Sequence, residues 1–592
     1  MLAALVLLFQ VQDTITVTAT RTETRVGDTP ASVVVLSAED IATTPAATLD
    51  DALRQVPGFT LFRRSGSRTA NPTSQGVSLR GIGASGASRA VVLDDGIPLN
   101  DPFGGWVYWG RVPRAALSRV EVLRGGASDL YGSGAMSGVV QFVRRRDAAV
   151  IAEVSGGSQS TGTASLFAAT SAGSWRGNIA VDWLKTGGWV LVDDAQRGAV
   201  DVAADARHTS IDATVARGGV FLRASRYTES RNNGTPLQIN DTTIRQLALG
   251  ADAGPFLGRL YASDQDFHQT FSAIAANRNS ERLTNEQRIP SRSWGGSLQS
   301  SHTIGARHAL VGGLEGRAVR AVEQKQQIAS AFLEDVFLAS TRVSITAGLR
   351  YDDAGRNGDA WSPRLSVLYR ANDKLALTAS AYRAFRAPTL NELYRGFRVG
   401  NVLTNPNDAL QPERLQAFEF GARSGPLRVN VFQMDVDDAV ANVTISATPA
   451  LITRQRQNLG STRSRGLELE ADHRFAKEWR VSGGYLFCDA VTSGGKRIPQ
   501  VARHQATLQL ARGNLGAQLR WSSAQFDDDL NQFRLRGYVV ADLFASHAIG
   551  RGLSAILAAE NITDRRVETA ATPVITLGTP RSIRLGLRYA PR

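Results

Sequence analysis

From about residue 150 to its last residues this chain alternates apolar and polar positions in short segments separated by turn residues, with almost no helix signal. Period-two patterning places successive side chains on opposite faces of a strand, so most of the 592 residues read as sheet. Arg581–Tyr589 is the clearest case. Ile583, Leu585, Leu587 and Tyr589 fall on one face, and Ser582, Arg584, Gly586 and Arg588 on the other. The same alternation recurs at Val343, Ile345, Ala347, Leu349 and Tyr351, in Leu375 to Ala381, and at Ala517, Leu519 and Trp521. One such segment fits a half-buried strand of a soluble sandwich. A long series ending in aromatics suited to a membrane interface favours a closed transmembrane barrel. At about 20 residues per strand with its share of turn, the stretch supplies on the order of 22 strands. A barrel that wide has a plugged lumen.

Residues 20–146 are the candidate plug, with the barrel expected over 147–592. Leu49, Leu53 and Val56 in TLDDALRQVPGF predict a short amphipathic helix ended by Pro57–Gly58. Ser78–Arg80, Ala90–Leu93 and Val120–Leu123 predict short strands joined by Gly-rich turns. The Gly run in VEVLRGGASDLYGSGAMSG precedes another strand and opens no convincing helix, which argues against a dinucleotide site. The apolar opening, residues 1–12, is expected to be the remnant of a secretory signal.

Composition excludes several classes. Cys488 is the only cysteine, so neither an intrachain disulfide nor a thiolate metal site is expected. The formal charge of +13 comes from Lys and Arg scattered through strands and loops, without a basic tail or helix, so nucleic acid is not an expected partner. No nucleophile elbow, HExxH or Walker motif is present, and no enzymatic activity, cofactor or resident metal is expected.

Several pieces occur together and in order: Asp13-Thr14-Ile15-Thr16-Val17-Thr18-Ala19, VSLRGIG, VVLDDGIPLNDP, RVEVLRGGASDLYGSGAMSGVVQF, AYRAFRAPTLNELY, NLGSTRSRGLELEA and AAENITDRR. Over nearly the whole chain they resemble the TonB-dependent outer-membrane receptors. The resemblance implies an all-β fold, a barrel of about 22 strands around an N-terminal α+β plug, in the outer membrane. It implies that residues 13–19 are a box gripped by a TonB-like, proton-motive-force-coupled partner in the periplasm. Read locally, DTITVTA is a β-branched segment suited to strand addition on a partner sheet, or an ordinary first strand. The resemblance also implies that plug arginines latch onto barrel glutamates. Arg80, Glu121 and Arg124 are the plug candidates, with Glu419 and Glu468 or Glu470 on the barrel; such charges are costly to bury unless paired.

Two loops carry the candidate substrate contacts. Arg63, Arg64, Arg68 and Asn71 lie in RRSGSRTANPTSQ, and Trp106, Tyr108, Trp109 and Arg111 in NDPFGGWVYWGR. Aromatics offer rigid stacking surface and arginines suit an anionic chelate. Phe385–Pro388 followed by Asn405-Pro-Asn407 resembles the signature of haem receptors, yet residues 389–404 hold no histidine to ligate the iron. The expected cargo is a ferric siderophore, taken up by a monomer, with cobalamin as the alternative. Asp193–Asp205 could mimic a calcium loop but lacks regular ligand spacing, so a solvated loop is the preferred account. A passive porin and a non-transporting adhesin or receptor are the functional rivals.

Overall fold

The computed structural model describes residues 14–83, 86–399, 402–448, 451–476 and 478–591; Asp13 and the expected signal remnant lie outside them. Twenty-two antiparallel strands close a barrel. The first, Val150–Gly157, pairs with the last, Ser582–Tyr589, in the register Ala152↔Tyr589 to Gly157↔Arg584. Closure leaves no strand edge unpaired, as spanning a bilayer requires. The alternation has its expected meaning in the last strand: Leu585 is 64% exposed to the lipid side and Arg584 4% exposed on the lumen side.

Strands at one end are joined by tight turns such as Gly218–Gly219, between Ala206–Arg217 and Val220–Asn232. Gly218 sits at φ 58°, which a two-residue hairpin of this hand needs. The opposite end carries the long connections, including 187–205, 387–412 and 438–461. Two of these combine into a four-stranded sheet over the mouth, in which Val402–Asn405 pairs in parallel with Ile452–Leu459.

Within the lumen sits a five-stranded plug sheet of β1 (Ser32–Ser37), β2 (Ala90–Asp94), β3 (Ile97–Pro98), β4 (Leu117–Arg124) and β5 (Gly138–Arg144), in the order β1-β4-β5-β2-β3. β2 and β5 run parallel and the other neighbours antiparallel. Helix α1 (Ala38–Ala42) opens with a capping box between Ser37 and Asp40. Helix α2 (Leu49–Leu53) buries Leu49, Leu53 and the following Val56 in the plug core, as the amphipathic pattern predicts. Two details differ from expectation. The strand expected over Ser78–Arg80 is extended only at Val77–Ser78, because Arg80 turns to φ 51° and sends its side chain into the wall. The Gly run holds one helical turn, α3 (Ser128–Tyr131), before β5. Gly125, at φ 94°, lies where a Cβ would overlap the Glu419 carboxylate, so plug and wall meet there on bare backbone.

Candidate substrate site and plug latches

Arg80 is fully buried and spans two wall strands. Its Nε and Nη2 each donate at 2.9 Å to Glu468, its Nη1 lies 2.6 Å from Glu419, and its guanidinium rests 4.9 Å above the Phe432 ring. Arg124 reaches Glu470 at 2.7 Å and Glu468 at 3.6 Å and donates to Ser32 Oγ at 2.7 Å. Glu468 is therefore shared by two plug arginines. Removing one member of such a buried cluster leaves an uncompensated charge, a loss of about 3–5 kcal/mol.

Glu121 does not join this wall cluster. It projects from the face of β4 that the N-terminal segment covers. One carboxylate oxygen accepts from Thr16 Oγ1 and Thr18 Oγ1 at 2.6 Å and from the Val17 and Thr18 amides at 2.9 Å. Arg119 holds the other oxygen at 2.7 Å. Of the expected box, the described residues Thr14 to Ala19 thus fold back on the plug. Ile15–Thr16 pairs with Thr24–Arg25, and Tyr131 donates to the Thr18 carbonyl at 2.9 Å.

Further latches fall at positions the sequence did not assign to docking. Arg89 and Arg386 converge on Glu413, and Arg386 also grips Glu392 at 2.8 Å. Arg68 meets Glu560 at 2.5 Å, and Arg144 bridges Asp94 and Asp212 at 2.7 and 2.8 Å. The available signal was strand parity: Glu413 and Glu560 sit at lumen-facing positions beside turns, within or next to segments already noted as motifs.

Above the plug, among the long loops, opens a cavity of about 350 Å³. Of the eight expected substrate contacts, Arg63, Arg64 and Asn71 line it. The other five lie elsewhere. Arg68 is consumed by Glu560 and by Asp51 at 3.4 Å. Trp106, 0% exposed, packs on Phe267 of the wall at 5.8 Å, and Tyr108 on Tyr227 at 5.9 Å. Trp109 lies edge-on to Phe59 and Phe142 in the plug core, and buried Arg111 donates to the Leu99 carbonyl. Their loop is apolar enough to be drawn into the packed interior. Asn71 cups the following turn through Thr73 N at 3.0 Å while donating to Asn240 at 3.2 Å.

The missing part of the lining comes from the loops, as Arg395, Arg454 and Arg456. Arg395 lies among Phe267, Phe271 and Phe397, with ring centroids 5.5, 5.6 and 6.0 Å away, and Arg456 stands over Phe397 at 5.3 Å. Arg395 donates to Gln287 and Gln269, and Arg456 to the Arg395 carbonyl at 2.9 Å. Among the described residues, no carboxylate lies within ion-pair distance of Arg63, Arg64, Arg395, Arg454 or Arg456. Buried Nε and Nη2 of Arg64 and Nε of Arg454 have no hydrogen-bond partner. Desolvation, reinforced by the neighbouring Arg456, pulls Arg395 down to about 9; desolvation takes Arg456 and Arg64 to about 10. The cavity's carboxylates are already committed, Asp51 to Arg54 and Arg68, Glu392 to Arg386, and Glu560 to Arg68 and Arg584. The result is a pocket of excess positive charge faced with aromatic rings.

The described residues lining the cavity include no histidine, cysteine or methionine, and the described residues contain no group of three His, Cys, Asp or Glu suited to a metal ion. In the acidic stretch, Asp193 pairs with Arg566 at 2.6 Å and Asp201 with Arg278 at 2.5 Å. Cation partners there are arginines of the chain itself.

Comparison with known proteins agrees with this architecture. Residues 153–562 match the family described as TonB dependent receptor-like, beta-barrel, and residues 25–139 match the TonB-dependent receptor plug domain. A hemin receptor of Yersinia enterocolitica is 28% identical over 487 residues, covering 72% of this chain and 68% of that protein. The vitamin B12 transporter BtuB of Photobacterium profundum is 23% identical over 591 residues, covering 93% and 92%. Among solved structures, the siderophore receptor PirA from Acinetobacter baumannii superposes with a TM-score of 0.76 at 16% identity, covering 94% of this chain and 98% of that one. A ferric enterobactin receptor of Pseudomonas aeruginosa gives 0.75 at 17% identity, covering 95% and 99%. A 22-stranded barrel, a plug latched inside it and matches spanning both regions together establish that the chain is an outer-membrane protein belonging to the TonB-dependent receptor family.

Proposed function

We propose that this receptor imports a multiply anionic iron chelate, a ferric siderophore, by drawing on force applied to residues 13–19. The observation that carries the reading is the set of buried and half-buried mouth arginines that have no carboxylate partner among the described residues. Keeping unpaired cations out of water is costly, and an anionic chelate returns that cost as charge-assisted hydrogen bonds. Phe271 and Phe397, the two rings beside Arg395 that line the cavity, supply stacking surface for the chelating groups. A largely uncharged corrinoid would leave the arginines unmatched.

The family supplies the coupling expectation, and the plug supplies its substrate: a β-branched segment held to Glu121 by hydrogen bonds alone. A partner that pairs with Thr14–Ala19 as an added strand exchanges those bonds for its own backbone bonds and gains a grip on the plug.

Haem is the second reading. It is favoured by the similarity to hemin receptors and by the FRAP segment, and its two carboxylates would also suit the arginines. Against it stands the ligand set, in which, among the described residues, Tyr538 is the one lining side chain of a type that serves as a haem axial ligand. Quenching of the nine tryptophans by ferric catecholate, ferric hydroxamate, haem and cyanocobalamin separates the readings. Submicromolar binding of a ferric siderophore that weakens with salt, with uptake lost on deleting residues 13–19, is the expected result. Salt-insensitive cyanocobalamin binding, or uptake that survives the deletion, overturns it.

A further inference from the structure

Below the mouth cavity the plug does not seal uniformly against the wall. A second cavity of about 150 Å³ runs between the plug and five consecutive wall strands, Phe256–Ile274, Glu281–Ile304, His308–Ala321, Gln324–Leu338 and Val343–Asp353. Its roof adjoins the floor of the mouth cavity along both chain segments that separate them. On the plug, Ala87 lines the mouth and Ser88 the lower cleft; on the loop, Asn391 and Glu392 line the mouth and Arg386 and Thr389 the cleft. The partition is one plug turn and the start of helix α4 (Leu390–Tyr394), fastened by Arg89 and Arg386 on Glu413 and by Arg386 on Glu392.

At its foot the cleft is stopped by Arg21. That side chain lies 2.6 Å from Glu315 of the wall and is stacked between Tyr131 and Phe332, 4.6 Å from each ring. Its carbonyl accepts from Gln299 at 3.1 Å. Arg21 follows the box by two residues, and Tyr131 also holds the Thr18 carbonyl. A pull on the box is therefore transmitted first to the residue that stops the cleft.

Electrostatics make this side the one that opens at least cost. When Arg21 leaves, Glu315 keeps Arg350 at 2.7 Å, and Asp352 keeps Arg350 and Ser330. Separation on the opposite side would strip Glu468 of both its plug arginines and Glu470 of Arg124, exposing carboxylates in a poorly hydrated seam. Midway along the cleft, Arg317 has no ion pair or hydrogen bond among the described residues, unlike Arg259 and Arg350 on the same wall.

We propose that this cleft is the route by which cargo crosses the barrel, with Arg21 as its lower gate and Arg317 as the cation that an anionic chelate meets on the way. The proposal rests on the box-coupled import reading above. A Cys488→Ala background allows single cysteines at Ser297 and Ser330, which line the cleft, and at Gln509 on the far wall, which faces Gln55. Cells expressing variants that retain box-dependent uptake are labelled with a small methanethiosulfonate during energised uptake of ferric catecholate, ferric hydroxamate or haem, supplied in parallel. Labelling is expected to accelerate at least tenfold at Ser297 and Ser330, to stay flat at Gln509, and to lose its acceleration when residues 13–19 are deleted. Acceleration at Gln509 without change at the cleft positions overturns the route. Failure of all three compounds to show box-dependent uptake removes the import reading instead. Arg317→Gln is expected to slow saturated uptake about fivefold without changing affinity at the mouth, with Arg317→Lys restoring most of the rate. An unchanged rate removes Arg317 from the path.

Discussion

Arg395→Met is the substitution that most directly tests recognition by unpaired cations. Methionine keeps the length and packs against Phe267, Phe271 and Phe397, so the change removes the charge while retaining much of the apolar contact. A unit charge about 5 Å from a bound anion is worth about 3 kcal/mol at an effective dielectric near 20. After the loss of hydration on both sides, a net of about 1.5–3 kcal/mol remains, or roughly a 10- to 100-fold rise in Kd. The same change should stabilise the empty receptor. Desolvation pulls Arg395 below the ordinary arginine range while leaving it charged, so the folded protein bears a cost for burying that charge that methionine does not incur. Tryptophan quenching at several salt concentrations reads the affinity, and thermal unfolding in detergent reads the stability. Weaker binding with a smaller salt slope and a Tm raised by a few degrees is the expected pair. Unchanged affinity together with a lowered Tm refutes the reasoning, since it would make Arg395 a packing residue.

Other consequences are equally open to measurement. Glu468→Gln should destabilise plug docking by about 3 kcal/mol, seen as faster proteolysis of the plug and greater cell sensitivity to bulky antibiotics. Arg124→Glu, which sets a carboxylate against Glu470, should be the more severe of the two. Glu121→Gln replaces the charged acceptor of four hydrogen bonds by a neutral one, and a spin label at exposed Ile15 should become more mobile without cargo. An immobile label would show that the box is held by its pairing with Thr24–Arg25 instead.

The barrel was legible because bilayer and lumen impose opposite solvents on alternate residues, so Ile583, Leu585 and Leu587 could be assigned a face from spacing alone. The Arg80 and Arg124 pairings were expected from the resemblance, which implies plug arginines on barrel glutamates, and charge argues the same way, because a buried charge demands a partner. The mouth was less legible. Trp106, Tyr108 and Trp109 look like stacking surface in a list of residues, but solvent decides their place. Three large rings in one loop bury more area against Phe267, Tyr227 and the plug core than a wet cavity would allow them. Arg395, Arg454 and Arg456 escaped notice because they come from two separate connections, brought together by the parallel pairing of Val402–Asn405 with Ile452–Leu459 and by bonds such as Arg456 to the Arg395 carbonyl.

What distinguishes the two kinds of arginine in this lumen is the state of their counter-charges. Arg68, Arg80, Arg89, Arg124 and Arg144 each meet carboxylates, and every such pair ties the plug to the wall or to itself. Among the described residues, Arg64, Arg395, Arg454 and Arg456 meet none within ion-pair distance. If partner state rather than residue type assigns the role, supplying a partner should convert one kind into the other. Gln269 already accepts from Arg395 at 2.9 Å, so Gln269→Glu would place a carboxylate on that guanidinium with almost no change in shape. The empty receptor should become more stable, and chelate affinity should fall at least as far as in Arg395→Met, because the new carboxylate both satisfies the cation and repels the cargo. Restored affinity in Gln269→Glu with Arg395→Met would contradict this, since that double variant carries the repulsion without the cation.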